Sequence, residues 1–279
     1  MGGYAKDVVV TTDWLDERLG DEGLAVAEVD EDPDLYDEGH IPGAVKLHWR
    51  DDLQDRYVRD VVSKERFEEL MGERGITESA TVVLYGDKNN WFAAYAYWYL
   101  KLFGHEDVRV LDGGRQKWIE EGKGLTADPV APARVVYQAR ARDESIRIRR
   151  DEILEGLRDP RVALIDVRSP QEYAGELVAP PGYEQEGASR AGHIPGAQCI
   201  PWASAVRDDG TFRSADELRE LYGSRGVVPE KEIRAYCRIG ERSAHTWFVL
   251  HELLGYERVR NYDGSWVEWG NLVGVPIER

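Results

Sequence analysis

Gly39-His40-Ile41-Pro42-Gly43-Ala44 returns 153 residues later as Gly192-His193-Ile194-Pro195-Gly196-Ala197. Six identical residues at that separation mark an internal repeat, and other matches fall in line with it. Tyr85 corresponds to Tyr236, Gly104 to Gly255, Val108-Arg109 to Val259-Arg260, Asp112-Gly113 to Asp263-Gly264 and Trp118 to Trp269, all at an offset of 151. Upstream, Asp32-Pro33 before Tyr36 corresponds to Ser169-Pro170 before Tyr173 at an offset of 137. The chain is two copies of one domain. The offset grows from 137 to 153, so the second copy carries 16 additional residues between Tyr173 and Gly192. Copy one is placed at residues 1–126 and copy two at 146–279, with an aperiodic linker at 127–145 that contains Pro129 and Pro132.

Within each copy, strands alternate with helices. Thr81–Tyr85, Val162–Ile165 and Ile233–Tyr236 are short, mostly apolar runs of the kind buried in parallel sheets. Trp91–Phe103 and Ala244–Leu254 predict helices, stopped by Gly104 and Gly255 as left-handed C-terminal caps. Ser169, Pro170 and Glu172 form a capping box with proline at the first helical position. The pattern predicts an α/β fold of two tandem domains, each a parallel sheet flanked by helices. Ligands of such sheets bind at the C-terminal ends of the strands.

Composition excludes several classes. Lys plus Arg number 36 against 53 Asp plus Glu, a net charge of −17 over 279 residues, which is the wrong sign for nucleic acid. The longest apolar run, Trp91–Leu100, has ten residues, half of the roughly 20 that a membrane span needs. The first residues carry no signal-peptide pattern, and two cysteines make no disulfide framework, so a reducing cytoplasm is expected. The six His show no metal-ligand spacing. Only eight of the basic residues are Lys and 28 are Arg, which suits either an acid-coated surface in a salty cytosol or a GC-rich genome.

Cys237 directly follows the strand ending at Tyr236. The loop Cys237-Arg238-Ile239-Gly240-Glu241-Arg242 then leads into the helix at Ser243. Loop N–H groups, a helix start and two arginines all favour an anion, with Glu241 partly offsetting them. Such surroundings predict a thiol pKa lowered from about 8.5 into roughly the 3.5–7.5 range. Cys199 reads as a small buried hydrophobe, with a resolving thiol as the alternative. His40 and His193 occupy the repeated motif in both copies and read as structural. His245 and Asp166 likewise read as structural.

The stretch Tyr236–Ser243, the Asp263-Gly264-Ser265-Trp266 turn, Asp166-Val167-Arg168-Ser169-Pro170 and the doubled Gly-His-Ile-Pro-Gly-Ala together resemble the rhodanese family, in particular its two-domain thiosulfate sulfurtransferases of bacteria and archaea. The resemblance covers the whole chain. It implies a silent first domain, and Gly86 indeed stands at the position equivalent to Cys237. It implies sulfane-sulfur transfer from thiosulfate to cyanide or a thiol, a protein acceptor included, through a Cys237 persulfide and without metal or organic cofactor. Arg238, Ile239, Gly240, Glu241, Arg242 and Ser243 are the expected donor-binding loop. Vertebrate members have a basic residue where this chain has Glu172, so Arg190 in the additional segment is a further candidate for the donor's charge.

Three other functions compete. A cysteine phosphatase needs Arg six residues after Cys, but Ser243 stands there. A 3-mercaptopyruvate sulfurtransferase would share the nucleophile but carries small uncharged residues after it, whereas this chain has Arg238. A non-enzymatic persulfide carrier would keep the same loop.

Overall fold

The structure, a computed structural model, describes residues 3–183 and 187–279. Its contacts divide into two compact units. One is Asp7–Asp143 with Val206–Phe212; the other comprises the N-terminal residues up to Lys6, Glu144–Ala205 and Arg213–Arg279.

The first unit runs β1 (Val9–Val10), α1 (Thr12–Asp16), β2 (Leu24–Glu28), α2 (Leu35–Glu38), β3 (Val45–Lys46), α3 (Lys64–Glu73), β4 (Thr81–Tyr85), α4 (Trp91–Leu102), β5 (Val108–Leu111) and α5 (Gly114–Glu120). Its strands pair in parallel in the order β1-β5-β4-β2-β3. The second runs α6 (Arg150–Glu155), β6 (Val162–Asp166), α7 (Pro170–Tyr173), β7 (Gln198–Cys199), α8 (Ala215–Gly223), β8 (Glu232–Tyr236), α9 (Glu241–Trp247), β9 (Val259–Tyr262) and α10 (Ser265–Trp269). Its parallel order is β7-β6-β8-β9. The chain thus forms two α/β units with parallel sheets, as its repeat predicts.

Burial explains why the central strands are so apolar. Val82 to Tyr85 in β4, and Ile233, Ala235 and Tyr236 in β8, are fully buried. Helix α4 is apolar around its circumference and buried along almost its whole length. It ends with Gly104 at φ 80, the left-handed stop. One expectation needs adjustment. The helix expected from Ala244 begins at Glu241, because Gly240 at φ 104 turns the chain there, and beyond Trp247 it continues as a π-helix over Phe248–Leu253. Strand β1 is two residues long, too short to show periodicity. Residues 127–143 have no regular structure and run along the first unit, with Val135 N–H on Gly72 O and Arg140 N–H on Phe103 O, both at 3.0 Å.

The repeated motif is a clasp. In the first unit the His40 ring stacks on Tyr36 at 4.0 Å, and its Nδ1 lies 3.0 Å from Tyr36 O. In the second the His193 ring stacks on Tyr173 at 3.6 Å, with Nδ1 2.9 Å from Tyr173 O. The next residue ties the motif to the central strand. Ile41 N–H donates to Tyr85 Oη (2.9 Å) and Ile194 N–H to Tyr236 Oη (3.0 Å). Each tyrosine then donates to a buried carboxylate: Tyr85 to Glu28, Tyr236 to Asp166 Oδ2. Different arginines neutralise those acids, Arg115 from α5 in one unit and Arg168 after β6 in the other.

The clasp predicts that Tyr85→Phe and Tyr236→Phe each lower stability. Losing the hydroxyl strands a buried N–H, and the expected cost is about 1–3 kcal/mol per variant. Urea unfolding of both variants measures it; midpoints equal to wild type would contradict the assignment.

Candidate active site

β8 ends at Tyr236 and delivers Cys237, fully buried, into a tight loop. Gly240 makes the turn at φ 104, and a Cβ there would lie 2.8 Å from the Cα of Asp263, so only glycine passes. The loop is fixed from the β9–α10 side. Cys237 N–H donates to Ser265 Oγ (3.0 Å), Trp266 N–H to Cys237 O (3.1 Å) and Val267 N–H to Arg238 O (3.0 Å). Asn261 Nδ2 donates to Gly240 O (3.1 Å). With those carbonyls engaged outside, loop N–H groups turn inward. Gly240 N–H points at Cys237 Sγ at 3.1 Å. Ser243 Oγ lies 3.6 Å from Sγ and is anchored by donating to Asn261 Oδ1 at 2.7 Å.

Glu241 turns into this loop. The Cys237 thiol donates to Glu241 Oε2 at 3.1 Å, and the same oxygen accepts Ile239 N–H at 3.2 Å. Glu241 Oε1 lies 3.5 Å from Arg242 Nε and 3.8 Å from an Arg238 terminal nitrogen. Arg242 in turn clamps Glu172 at 3.0 and 3.2 Å. Glu172 keeps its expected capping box, accepting Ser169 N–H at 3.0 Å while Ser169 Oγ accepts Glu172 N–H at 3.2 Å. Burial works to raise the Glu172 carboxyl, but Arg242 and the Ser169 N–H outweigh it and hold it below the usual range.

This geometry corrects two expectations. The Cys237 thiol is raised, not lowered. Burial pushes it up, Glu241 adds to the shift, and Arg242 and Ser243 oppose them without prevailing. The arginines do not project from the loop: Arg238 is 3% and Arg242 5% exposed. Buried guanidinium groups need counter-charges, and Glu241 and Glu172 supply them. Arg238 also packs its guanidinium 4.5 Å over the ring of Tyr183, from the additional segment of copy two.

Arg238, Ile239, Gly240, Glu241, Arg242 and Ser243 therefore assemble around or beside Cys237. Arg190 is committed otherwise. Its guanidinium donates to the carbonyls of Trp269, Gly270 and Val275 at 3.3 to 3.4 Å, and to Leu272, closing the C-terminal end of α10. Cys199 is half-buried on β7, and burial with Asp166 pushes its thiol up to about 11. His245 is buried on α9 against Trp202, and burial pushes it down to about 3, which keeps it neutral. Sequence reasoning missed Asn261 and Ser265 as loop supports. The repeat itself holds their signal, because copy one has Val110 and Gly114 at those places and Phe92 opposite Ser243. Nothing in the pattern singles out Tyr183. Among the described residues no cluster of His, Cys, Asp and Glu is arranged to hold a metal ion, and no helix is long and apolar enough to cross a membrane.

Comparison with known proteins matches this arrangement in both units. The rhodanese-like domain model fits residues 11–121 and again 149–272. A sulfur carrier protein, TtuD, of Thermus thermophilus is 58% identical over 99% of both chains. Proteins provisionally named thiosulfate sulfurtransferase are 55% identical in Saccharopolyspora erythraea, over 98% of this chain and 96% of that one, and 52% identical in Haloferax volcanii, over 99% and 98%. Among solved structures, the anaerobic ergothioneine biosynthesis enzyme of Chlorobium limicola with trimethyl histidine superposes with a TM-score of 0.84 at 28% identity, covering 97% of this chain and 69% of that one. A variant of EanB, holding ergothioneine covalently linked with a persulfide cysteine, gives 0.85 at 29% identity, over 98% and 70%. With the domain model matched twice and identity above half along nearly the full length, the chain belongs to the rhodanese family, as a protein of two rhodanese-like domains.

Proposed function

We propose that this protein is a thiosulfate sulfurtransferase that carries sulfane sulfur as a persulfide on Cys237. The carrying observation is the buried Cys237 sulfur with Gly240 N–H aimed at it from 3.1 Å. In the first half-reaction the Cys237 thiolate attacks the outer sulfur of thiosulfate. The bond from that sulfur to the sulfite sulfur breaks, and its electron pair leaves with sulfite. In the second, cyanide or a thiolate attacks the outer sulfur of the persulfide and the Cys237 thiolate departs. Loop N–H groups meet the anionic sulfur at each stage. Arg238 and Arg242 face the donor's charge through charge-assisted hydrogen bonds. Arg190 is left out of donor binding in this reading, because its guanidinium donates to main-chain carbonyls.

Cys237→Ser abolishes transfer in this reading, while Cys199→Ser stays within a few-fold of wild type. β6 lies between β7 and β8, so the two thiols sit about two strand spacings apart, roughly 9–10 Å, beyond disulfide reach. Intact mass after thiosulfate treatment reads the outcome as about 32 Da gained on Cys237. Activity in Cys237→Ser would end the proposal.

Thiosulfate is the expected donor over 3-mercaptopyruvate, on the strength of the two arginines. Charge-assisted bonds contribute roughly 1.5–3 kcal/mol each, so Arg238→Ala should lower kcat/KM for thiosulfate about tenfold to over a hundredfold. Arg242→Ala should do the same, and it also strands Glu172, so its stability is measured alongside. A higher kcat/KM for mercaptopyruvate in wild type would overturn the donor.

A second reading is favoured by the 58% identical relative that is named a sulfur carrier protein. There the Cys237 persulfide passes to a protein thiol. Loading with thiosulfate, removing donor and adding cyanide distinguishes the two: a sulfurtransferase releases one equivalent of thiocyanate, and a dedicated carrier keeps its sulfur until a protein thiol is added.

A further inference from the structure

We propose that Glu241 is the proton acceptor for Cys237, and that its carboxylate rests in the anion seat of the loop until an anionic donor displaces it. The inference rests on the persulfide reading above and assigns the step that reading lacks.

A protonated thiol does not attack thiosulfate, and this one stays protonated through neutral pH. A dianion brought beside it disfavours the thiolate further. Some group must remove the proton. Among the described residues, Cys237 Sγ has as hydrogen-bonding neighbours Glu241 Oε2 at 3.1 Å, Gly240 N–H at 3.1 Å, Ser243 Oγ at 3.6 Å and Ser265 Oγ at 4.0 Å. The N–H cannot accept. The two hydroxyls are far weaker bases than a carboxylate, and each donates its own hydrogen at 2.7 Å, to Asn261 Oδ1 and Tyr262 O. His245 makes no contact with the sulfur among those bonds, and burial holds it neutral. Glu241 remains, 1% exposed and already hydrogen-bonded to the thiol.

The other contacts of Glu241 define the seat. Its Oε2 takes Ile239 N–H, and its Oε1 faces Arg242 and Arg238. A loop N–H and two guanidinium groups are what an oxyanion donor needs. Donor binding and thiol activation are therefore one exchange. The proton moves from Sγ to a Glu241 oxygen, leaving a thiolate and a neutral carboxylic acid. The acid gives up its hold on the arginines, which turn to the donor. Sγ then bonds to the outer sulfur, and sulfite leaves with the electron pair of the broken bond. Charge balances throughout: the carboxylate's negative charge passes to the sulfur, and no oxidant or reductant enters.

Among the described residues, the other charged groups near Glu241 come from three places. From its own loop and helix these are Cys237, Arg238 and Arg242. From α7, Glu172 backs Arg242 at 3.0 Å. From the turn after β9, Asp263 lies against Gly240 and is paired with Arg147 at 2.6 Å.

The test compares wild type, Glu241→Gln and Glu241→Asp in single-turnover persulfide formation, read by mass from pH 6 to 10. Iodoacetamide alkylation of Cys237 runs in parallel. Glutamine keeps the size and an acceptor oxygen but cannot take the proton. Glu241→Gln should slow persulfide formation about 100-fold at pH 7, the usual worth of a general base. Its rate should then climb about tenfold per pH unit as hydroxide replaces the carboxylate. Glu241→Asp should recover part of the loss. At pH 10, where hydroxide serves every variant as the base, alkylation of Glu241→Gln should be no slower than wild type, which shows the loop intact. Persulfide formation in Glu241→Gln at or above the wild-type rate at pH 7 would overturn the proposal and leave Glu241 as an electrostatic brake. Wild type that gains sulfur from 3-mercaptopyruvate but none from thiosulfate overturns the donor assignment instead, and the same variant comparison with mercaptopyruvate then decides Glu241.

Discussion

Three buried carboxylates and three buried guanidinium groups alternate through the second unit around Cys237, and the loop takes its form from their balance. Asp166 pairs with Arg168 at 2.6 Å, Glu172 with Arg242 at 3.0 Å, and Glu241 lies between Arg242 and Arg238 at 3.5 and 3.8 Å. All six are almost wholly buried. Removing a charge from water costs several kcal/mol, so such a row is tolerated only when every member faces its opposite. The arginines beside Cys237 therefore face inward, and the resting thiol lives in a neutral interior in place of a positive one. In the proposed reaction a donor dianion brings two charges that this balance does not hold, so one acid surrenders its negative charge or its place, and Glu241 is the acid that touches the sulfur.

The first unit shows what the same scaffold becomes without a nucleophile. Gly86 replaces the cysteine, and a Cβ there would lie 2.1 Å from Val29 O, so the site has closed around the missing side chain. The loop N–H groups are consumed internally, Gly86 by Asn90 Oδ1 at 3.0 Å and Asp87 by Asp30 Oδ1 at 2.8 Å. Burial and Glu28 push the Asp30 carboxyl up to about 9, so Asp30 stays a neutral acid beside the buried Glu28–Arg115 ion pair. The clasp is present in both units, where it ties the repeated motif to the central strand.

Much of this was legible in the residues. The repeat, the strands β4, β6 and β8, the glycine stops after the long helices, the Ser169–Glu172 capping box and the position of Cys237 follow from local rules about periodicity and backbone conformation. What escaped depends on side-chain direction. Counting Arg238, Arg242 and Glu241 along the chain gives a net positive loop and a low thiol pKa. In space Arg242 belongs equally to Glu172, 70 residues away, and Glu241 bonds the sulfur itself. The sign of the shift reverses although every residue was known. Arg190 escaped for a similar reason: its partners are main-chain carbonyls, which no pattern of side chains reveals.

Glu172 stands where vertebrate members are expected to have a basic residue, and its contacts give that difference a physical form. At that position a cation would add to donor binding directly. Here an anion instead fixes Arg242 in a bidentate grip and leaves its Nε directed to Glu241. Losing one positive charge near the donor is offset by orienting another. The same pairing explains why Glu172 sits in a capping box: Ser169 fixes the carboxylate, the carboxylate fixes Arg242, and Arg242 faces the acid that holds the thiol. In the proposed reaction, donor recognition depends on an ordered sequence of contacts from α7 to the loop, and not on the number of basic residues close to the sulfur.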